Sequence, residues 1–321
     1  MSFQEKIKEL DRVRHRGIFG YGMIAVGLVI LFIGLSYWVF TQSMRFFLLG
    51  IPIIIIGVFI AKGTLKRYKE LYKDLFVKRP LEENFDNLYY DWTSGFSKET
   101  VENFQLCEMG HGFYSEDLIQ ASYQGIPFEM SDVLMSYSSS GSDDGDININ
   151  RRFLVIDLPN KKLNSVQVFS KTYNFMPDSS SAINTQNVEL ESVEFNNDFL
   201  LRAINPHDAF YLLTPQLMEQ IMTYRKRCKN IALHACGNKI VFALDDLSGD
   251  SFDADSYFKK VSYQEESAKI NKEINDIKAI ISIIKSLDPG TSETDEAKTL
   301  QPGGFLIEHK ANIYKQSKNT I

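Results

Sequence analysis

Cysteine is scarce and odd in number: Cys107, Cys228 and Cys236 are the only three in 321 residues. Three thiols build no disulfide framework, and reduced cysteines are expected on the side of the membrane inferred below. There is no excess of positive charge either. With 35 Lys and Arg against 41 Asp and Glu, the formal net charge is −6, which argues against nucleic acid as a partner. The P-loop, the dinucleotide glycine fingerprint and the nucleophile elbow are all missing from the sequence. No catalytic residue, cofactor or metal site is therefore assigned.

Long apolar runs, by contrast, are present near the start. Ile18 to Phe40, IFGYGMIAVGLVILFIGLSYWVF, has 23 residues without a formal charge. At ~1.5 Å per residue a helix crosses a ~30 Å hydrocarbon core in roughly 20 residues, so this length suffices. Tyr37 and Trp38 fall at its far end, at headgroup level. A second run, Phe46 to Ala61, has 16 residues and contains Pro52; Arg45 and Lys62 can snorkel from its ends. The intervening TQSMR is too short for a folded unit, so the two helices run antiparallel.

Lys6, Lys8, Arg12, Arg14 and Arg16 precede the pair, and Lys62, Lys66, Arg67, Lys69, Lys73, Lys78 and Arg79 follow it, against Arg45 alone between. The positive-inside rule then puts both termini in the cytoplasm of a bacterial inner membrane. Two buried core helices would seldom reach these lengths. A cleaved signal peptide is disfavoured by the long apolar stretch, the second segment and the absence of a small-residue cleavage pattern.

The layout is a cytoplasmic N-terminus (1–17), a transmembrane hairpin (18–61, spans 18–40 and 46–61) and a basic amphipathic stalk (62–79). A cytoplasmic α+β domain of mainly antiparallel strands with packed helices (80–263), a C-terminal amphipathic helix (264–287) and a flexible tail (288–321) follow. The stalk, LKRYKELYKDLF, repeats apolar residues at helical spacing, and Pro80 punctuates it. Leu81, Phe85, Leu88 and Tyr89 predict another short helix, and Ser97 an N-cap. LIQASY and IPFEMSDV flank a Gln124-Gly125 turn as a hairpin; Phe153–Leu158 and Val166–Phe169 read as strand and return.

VELESVEF and FLLRAI follow as strands. Asn205-Pro206 and Thr214-Pro215 each place a cap before a first-turn proline. IALHAC and KIVFAL, joined by Gly237-Asn238, form the clearest hairpin. Ile270, Ile274, Ile277, Ile281 and Ile284 then recur in steps of four and three over about two heptads. Docking onto the domain is favoured, with self-association through these isoleucines the alternative. Beyond 290, Phe305, Leu306 and Ile307 offer one further contact in an otherwise disordered tail.

By its strands and paired helices the chain resembles an uncharacterised bacterial membrane family, domain of unknown function family 3137. VELESVEFNNDFLLRAINPHDAFYLLTPQLMEQIM carries the likeness best, with SEDLIQASYQGIPFEMSDV, RRFLVIDLPNKK and IALHACGNKIVFAL behind it. Ala121 stands where the family often has Gly, and Phe210 where a basic residue is common. The resemblance implies a membrane-bound bacterial protein, sometimes encoded beside LemA-type membrane proteins. It implies no known activity and transfers no catalytic residue.

Candidate chemistry is thin. Cys107-x3-His111 and Cys228-x5-His234-x-Cys236 lack the paired spacing of structural zinc sites, although His234 and Cys236 share a strand face. Asp144, Asp146 and Asn148 imitate a calcium loop that Ile149 and Val155 then break. Glu116 and Asp117 point to opposite faces of a strand and read as turn caps. The expected function is a membrane-anchored cytoplasmic adaptor or scaffold for another protein, perched on the lipid bilayer. A sensor or binding module for lipid headgroups or a small ligand is the alternative, and a cryptic enzyme the third.

Overall fold

The structure is a computed structural model that describes residues 3–41, 47–138, 145–158, 162–177, 185–245, 252–253 and 258–287. The linker after Thr41, Asp144 and the tail with Phe305, Leu306 and Ile307 lie outside these residues.

Two helices, α1 (Phe3–Thr41) and α2 (Phe47–Tyr72), are long and apolar enough to cross a membrane. Only 17% of the most apolar stretch of each is buried, which is not how a soluble core helix packs. They run antiparallel, with Lys6 paired to Asp74 at 2.6 Å and Arg67 to Glu9 at 2.9 Å. Deeper in, glycines face each other. A Cβ on Gly27 would meet Ile54 Cγ1 at 2.5 Å, and one on Gly57 would meet the Gly20 oxygen at 2.9 Å. Small residues let the two helix backbones approach closely.

The second helix does not stop at the stalk. It passes through a π-helical turn, Lys73–Lys78, into α3 (Arg79–Asn84), so Pro80 opens α3 instead of punctuating the helix. Proline lacks an N–H and crowds the carbonyl four residues back; the wider turn just before it relieves both problems. The helix ends at extended Phe85, and Leu88 and Tyr89 belong to a strand, β1 (Asp86–Asp91), not to the short helix expected there.

Among the described residues, nine strands form one antiparallel sheet in the order β1-β2-β3-β4-β9-β8-β5-β7-β6. β2 (Gly112–Tyr123) and β3 (Ile126–Tyr137) are joined by the expected turn, with Gln124 and Gly125 both at positive φ, 52° and 79°. The hairpin of β8 (Asn230–Gly237) and β9 (Lys239–Asp245) is also as read.

It falls, however, between β4 (Ile147–Asp157) and β5 (Leu163–Ser170), which are not each other's return. Both strands are buried on both faces in their central stretch, and so is the hairpin that separates them. Such strands belong in mid-sheet. On β5's other edge lies β7 (Phe199–Ala203), paired in turn with the short β6 (Gln186–Asn187). VELESVEF is not a strand: Ser192 accepts a bond from the Phe195 N–H and caps α5 (Val193–Asp198). The caps at Ser97, Asn205 and Thr214 all form, opening α4 (Lys98–Asn103), α6 (Pro206–Leu212) and α7 (Pro215–Arg225).

One sheet face carries α6, α7, the C-terminal end of α2 and α8 (Tyr263–Leu287). The other is covered by α4 with Phe96, Leu106 and Tyr173. Ile270, Ile274, Ile277, Ile281 and Ile284 are all buried to within 1% in the first of these cores. The docked reading of this helix is thus the one that holds. In this packing the isoleucines present no surface to a second copy.

Candidate functional site

The polar interior is concentrated where α2 enters the sheet. Lys73 lies in the π-helical turn, a feature frequent at functional positions. Opposite it stands Asp117, in a bulge of β2 between Glu116 and Ile119, with φ at +58°. A non-glycine residue in that conformation costs roughly 1–2 kcal/mol. Lys73 Nζ reaches Asp117 Oδ2 at 2.5 Å and Asp253 Oδ1 at 2.9 Å, and the Tyr90 hydroxyl donates to Asp117 Oδ1 at 2.6 Å. Neither Lys73 nor Asp117 is more than 2% exposed. Next to Lys73, Tyr72 donates to Glu266 Oε2 of α8 at 2.5 Å.

Two carboxylates therefore share one ammonium in a dry place. Burial first, and the Asp132 carboxylate with it, pushes Asp117 up to about 7 in spite of Lys73. Asp253 is more exposed and moves down, because Lys73 offsets its desolvation. Burial pulls the Lys73 ammonium down, but the two carboxylates outweigh it and the net direction is up. Burial and Asp117 together raise Tyr90.

Asp132 connects this group to a second one. It accepts both arms of Arg152 at 2.6 and 2.5 Å, while Arg152 Nη1 reaches Glu273 of α8 at 3.0 Å and its guanidinium lies 4.2 Å from the Phe252 ring centre. Arg227 at the end of α7 joins Glu273 at 3.5 Å and pairs with Asp276. Arg151, next in sequence, points through the other face. There it pairs with Asp245 inside the second core and lies over Tyr173.

The residues singled out by sequence disperse. His234 has both ring nitrogens engaged, Nε2 with Ser165 at 2.9 Å and Nδ1 with the Phe104 carbonyl at 2.8 Å, and burial lowers its pKa. Cys236 is exposed beyond it. Burial raises Cys107 and takes Cys228 up to about 12, so neither is a thiolate nucleophile near neutral pH. His111 meets Asp146 at 3.1 Å on the surface. Among the described residues no three His, Cys, Asp or Glu are grouped to hold a metal.

The bulge breaks the strand alternation expected of Glu116 and Asp117: both lie within electrostatic reach of Lys73, and Asp117 caps no turn but is the buried partner of Lys73. In sequence Lys73 is one more basic residue of the amphipathic stalk. Its position three residues before Phe76, at helical spacing on the apolar stripe, was the available signal. Chemically, this array binds protons and locks elements together. It presents no nucleophile.

With this geometry in view, comparison with known proteins gives a limited result. The model of a family described as "Protein of unknown function (DUF3137)" matches residues 152–288. The chain resembles that family. The match begins at Arg152 and contains Arg227, Asp253, Glu266 and Glu273, while Lys73, Asp117 and Asp132 precede it. Among solved structures, the mycobacterial trehalose monomycolate transport factor A, TtfA, aligns with a TM-score of 0.35 at 7% identity, over 68% of this chain and 94% of that one. A likeness of that order informs neither fold nor function. No curated protein matches.

Proposed function

We propose that the chain is a two-pass protein of the bacterial inner membrane, both termini cytoplasmic, whose sheet domain is a rigidly mounted adaptor for another protein. One observation carries this reading. The helix from Phe47 runs unbroken through the π-helical turn to Asn84, and its cytoplasmic half is part of the domain's own core, locked by Lys73 to Asp117. A domain so mounted has a fixed height and orientation over the bilayer. That suits presentation of a surface, and a flexible tether would not supply it. The pairing of the buried ionisable groups with one another further supports a structural use for them.

The uncovered part of the sheet offers such a surface. Tyr114 and Leu134 are cross-strand neighbours and stand 54% and 40% exposed. A photo-crosslinking residue at either position, in intact membranes, should give one discrete adduct that Leu134→Asp abolishes. A LemA-type membrane protein is the first candidate to look for. No adduct at either position, or an unchanged one in Leu134→Asp, rejects this reading.

A further inference from the structure

Between the first turns of α1, the cytoplasmic half of α2 and the start of α8 lies a cavity of about 230 Å³. Its wall is apolar, with Leu10, Tyr68 and Phe76 almost completely buried. Its charge is not balanced: Lys8, Arg14 and Lys260 line it against the single carboxylate of Asp11. Arg14 is itself 8% exposed and already held, with Nε and Nη2 on Asp11 at 3.0 and 2.9 Å and Nη1 on the Phe258 carbonyl at 3.3 Å. That contact fixes the shape of the cavity and neutralises Asp11. Lys8 and Lys260, both exposed, are left to face whatever enters.

The level of the cavity matters as much as its lining. Arg14 precedes Ile18 by four residues, ~6 Å along a helix. The Tyr21 ring packs on Phe258 at 5.2 Å, which brings the segment before α8 to the height where the first apolar run begins. On the membrane placement proposed above, which this inference rests on, the cavity borders the headgroup layer at Arg14 and extends from there to Lys8, ~15 Å from Ile18 along the helix. Its volume falls below the ~300–1,000 Å³ of sites that enclose a whole drug-sized ligand. A headgroup can enter while its acyl chains stay in the bilayer.

We infer that this cavity is a binding site for the headgroup of an anionic phospholipid, its phosphate between Lys8 and Lys260 and its glycerol end against the apolar wall. Such a site makes the adaptor responsive to the lipid around it, because the same wall residues, Tyr68 and Phe76, belong to the core that mounts the sheet on α2.

The test uses the full chain in nanodiscs of phosphatidylcholine with and without phosphatidylglycerol, with lipids retained after detergent transfer counted by native mass spectrometry. One retained phosphatidylglycerol per chain, and no phosphatidylcholine, is expected. Lys8→Ala with Lys260→Ala should weaken retention roughly 10- to 30-fold. Lys62→Ala with Lys66→Ala, which removes two exposed basic residues outside the cavity, should leave it intact. Equal retention of the two lipids, or indifference to the first pair of substitutions, overturns the inference. Competition by soluble glycerol phosphate without any lipid preference assigns the cavity to a free phosphate ligand and overturns the lipid version. Failure of the chain to enter the bilayer instead overturns the placement beneath it.

Discussion

The two halves of the continuous helix that α2 begins, from Phe47 to Asn84, have opposite constructions. From Leu49 to Ala61 the large apolar side chains face outward, with Ile55 and Ile56 each 50% and Phe59 77% exposed, while Gly50 and Gly57 face the partner helix. From Tyr68 to Val77 the pattern inverts. Tyr68, Leu71, Tyr72, Leu75 and Phe76 turn inward, and the half-buried positions are the charged Lys69, Glu70 and Asp74. On the membrane placement proposed above, this helix stands in two solvents. Hydrocarbon accepts the outward isoleucines of the first half, where close backbone packing holds the pair together. Water excludes the apolar stripe of the second half, which is held by burial. Lys73 is the exception in the second half: a cation turned into the core, with the π-helical turn beginning at it.

The largest effect should come from that exception. Lys73→Ala leaves Asp117 and Asp253 together with no cation between them, and breaking a buried pair in this way costs about 3–5 kcal/mol. Unfolding of the purified chain in mild detergent would measure it. A loss under about 1 kcal/mol would mean that Lys73 does not hold the lower half of the helix in place. A smaller cost is expected in the upper half. Gly57→Leu forces a side chain into the Gly20 backbone and should cost about 1–3 kcal/mol, read as weakened association of the two helices. The same change at Gly22, where a Cβ would meet nothing within 4 Å, should be silent.

What could be read from the sequence follows the same division. The upper half was legible because a long uncharged run has few other uses, and the caps at Ser97, Asn205 and Thr214 were legible because their bonds are local. The glycines at 20, 27, 50 and 57 were overlooked, although each pair is seven residues apart and thus shares a helix face. Strand order was beyond local pattern: nothing in Phe153–Leu158 or Val166–Phe169 says that a hairpin seventy residues later will separate them. The buried ionic site was the least legible. Its members, Lys73, Tyr90, Asp117, Asp132, Arg152 and Asp253, are scattered over 181 positions and meet only through the fold. Asp117 looks like a turn residue in sequence, and its positive φ shows why.

A moderate effect is expected on pH dependence, again confined to the lower half. Asp117 has a folded pKa of about 7 against an unfolded value near ~3.9, so the folded chain binds more protons than the unfolded one in between. Its contribution is complete below the unfolded value and is lost as pH rises through 7. Glu116, raised chiefly by burial, adds in the same direction. Asp253, lowered, acts with the opposite sign but only as pH falls below the ordinary carboxylate range. The melting temperature should therefore decline between pH 5.5 and 8, and Asp117→Asn should remove most of that decline. An unchanged slope in the variant would show that Asp117 is ionised throughout.

The smallest effect is the sharpest test of the two-solvent comparison. Leu75→Ala and Ile55→Ala each remove a branched aliphatic side chain from the same helix, twenty residues apart. At Leu75, 3% exposed within the core, the change opens a cavity and should cost about 2–5 kcal/mol. At Ile55, an acyl chain moves in where the methyl groups were, since lipid is as apolar as the residue it replaces. The expected cost is under about 0.5 kcal/mol, as for surface changes that remove no packed contact. Comparable losses at both positions, measured in the same detergent or nanodisc, would mean that Ile55 faces protein and that the upper half of the helix is covered by something other than lipid.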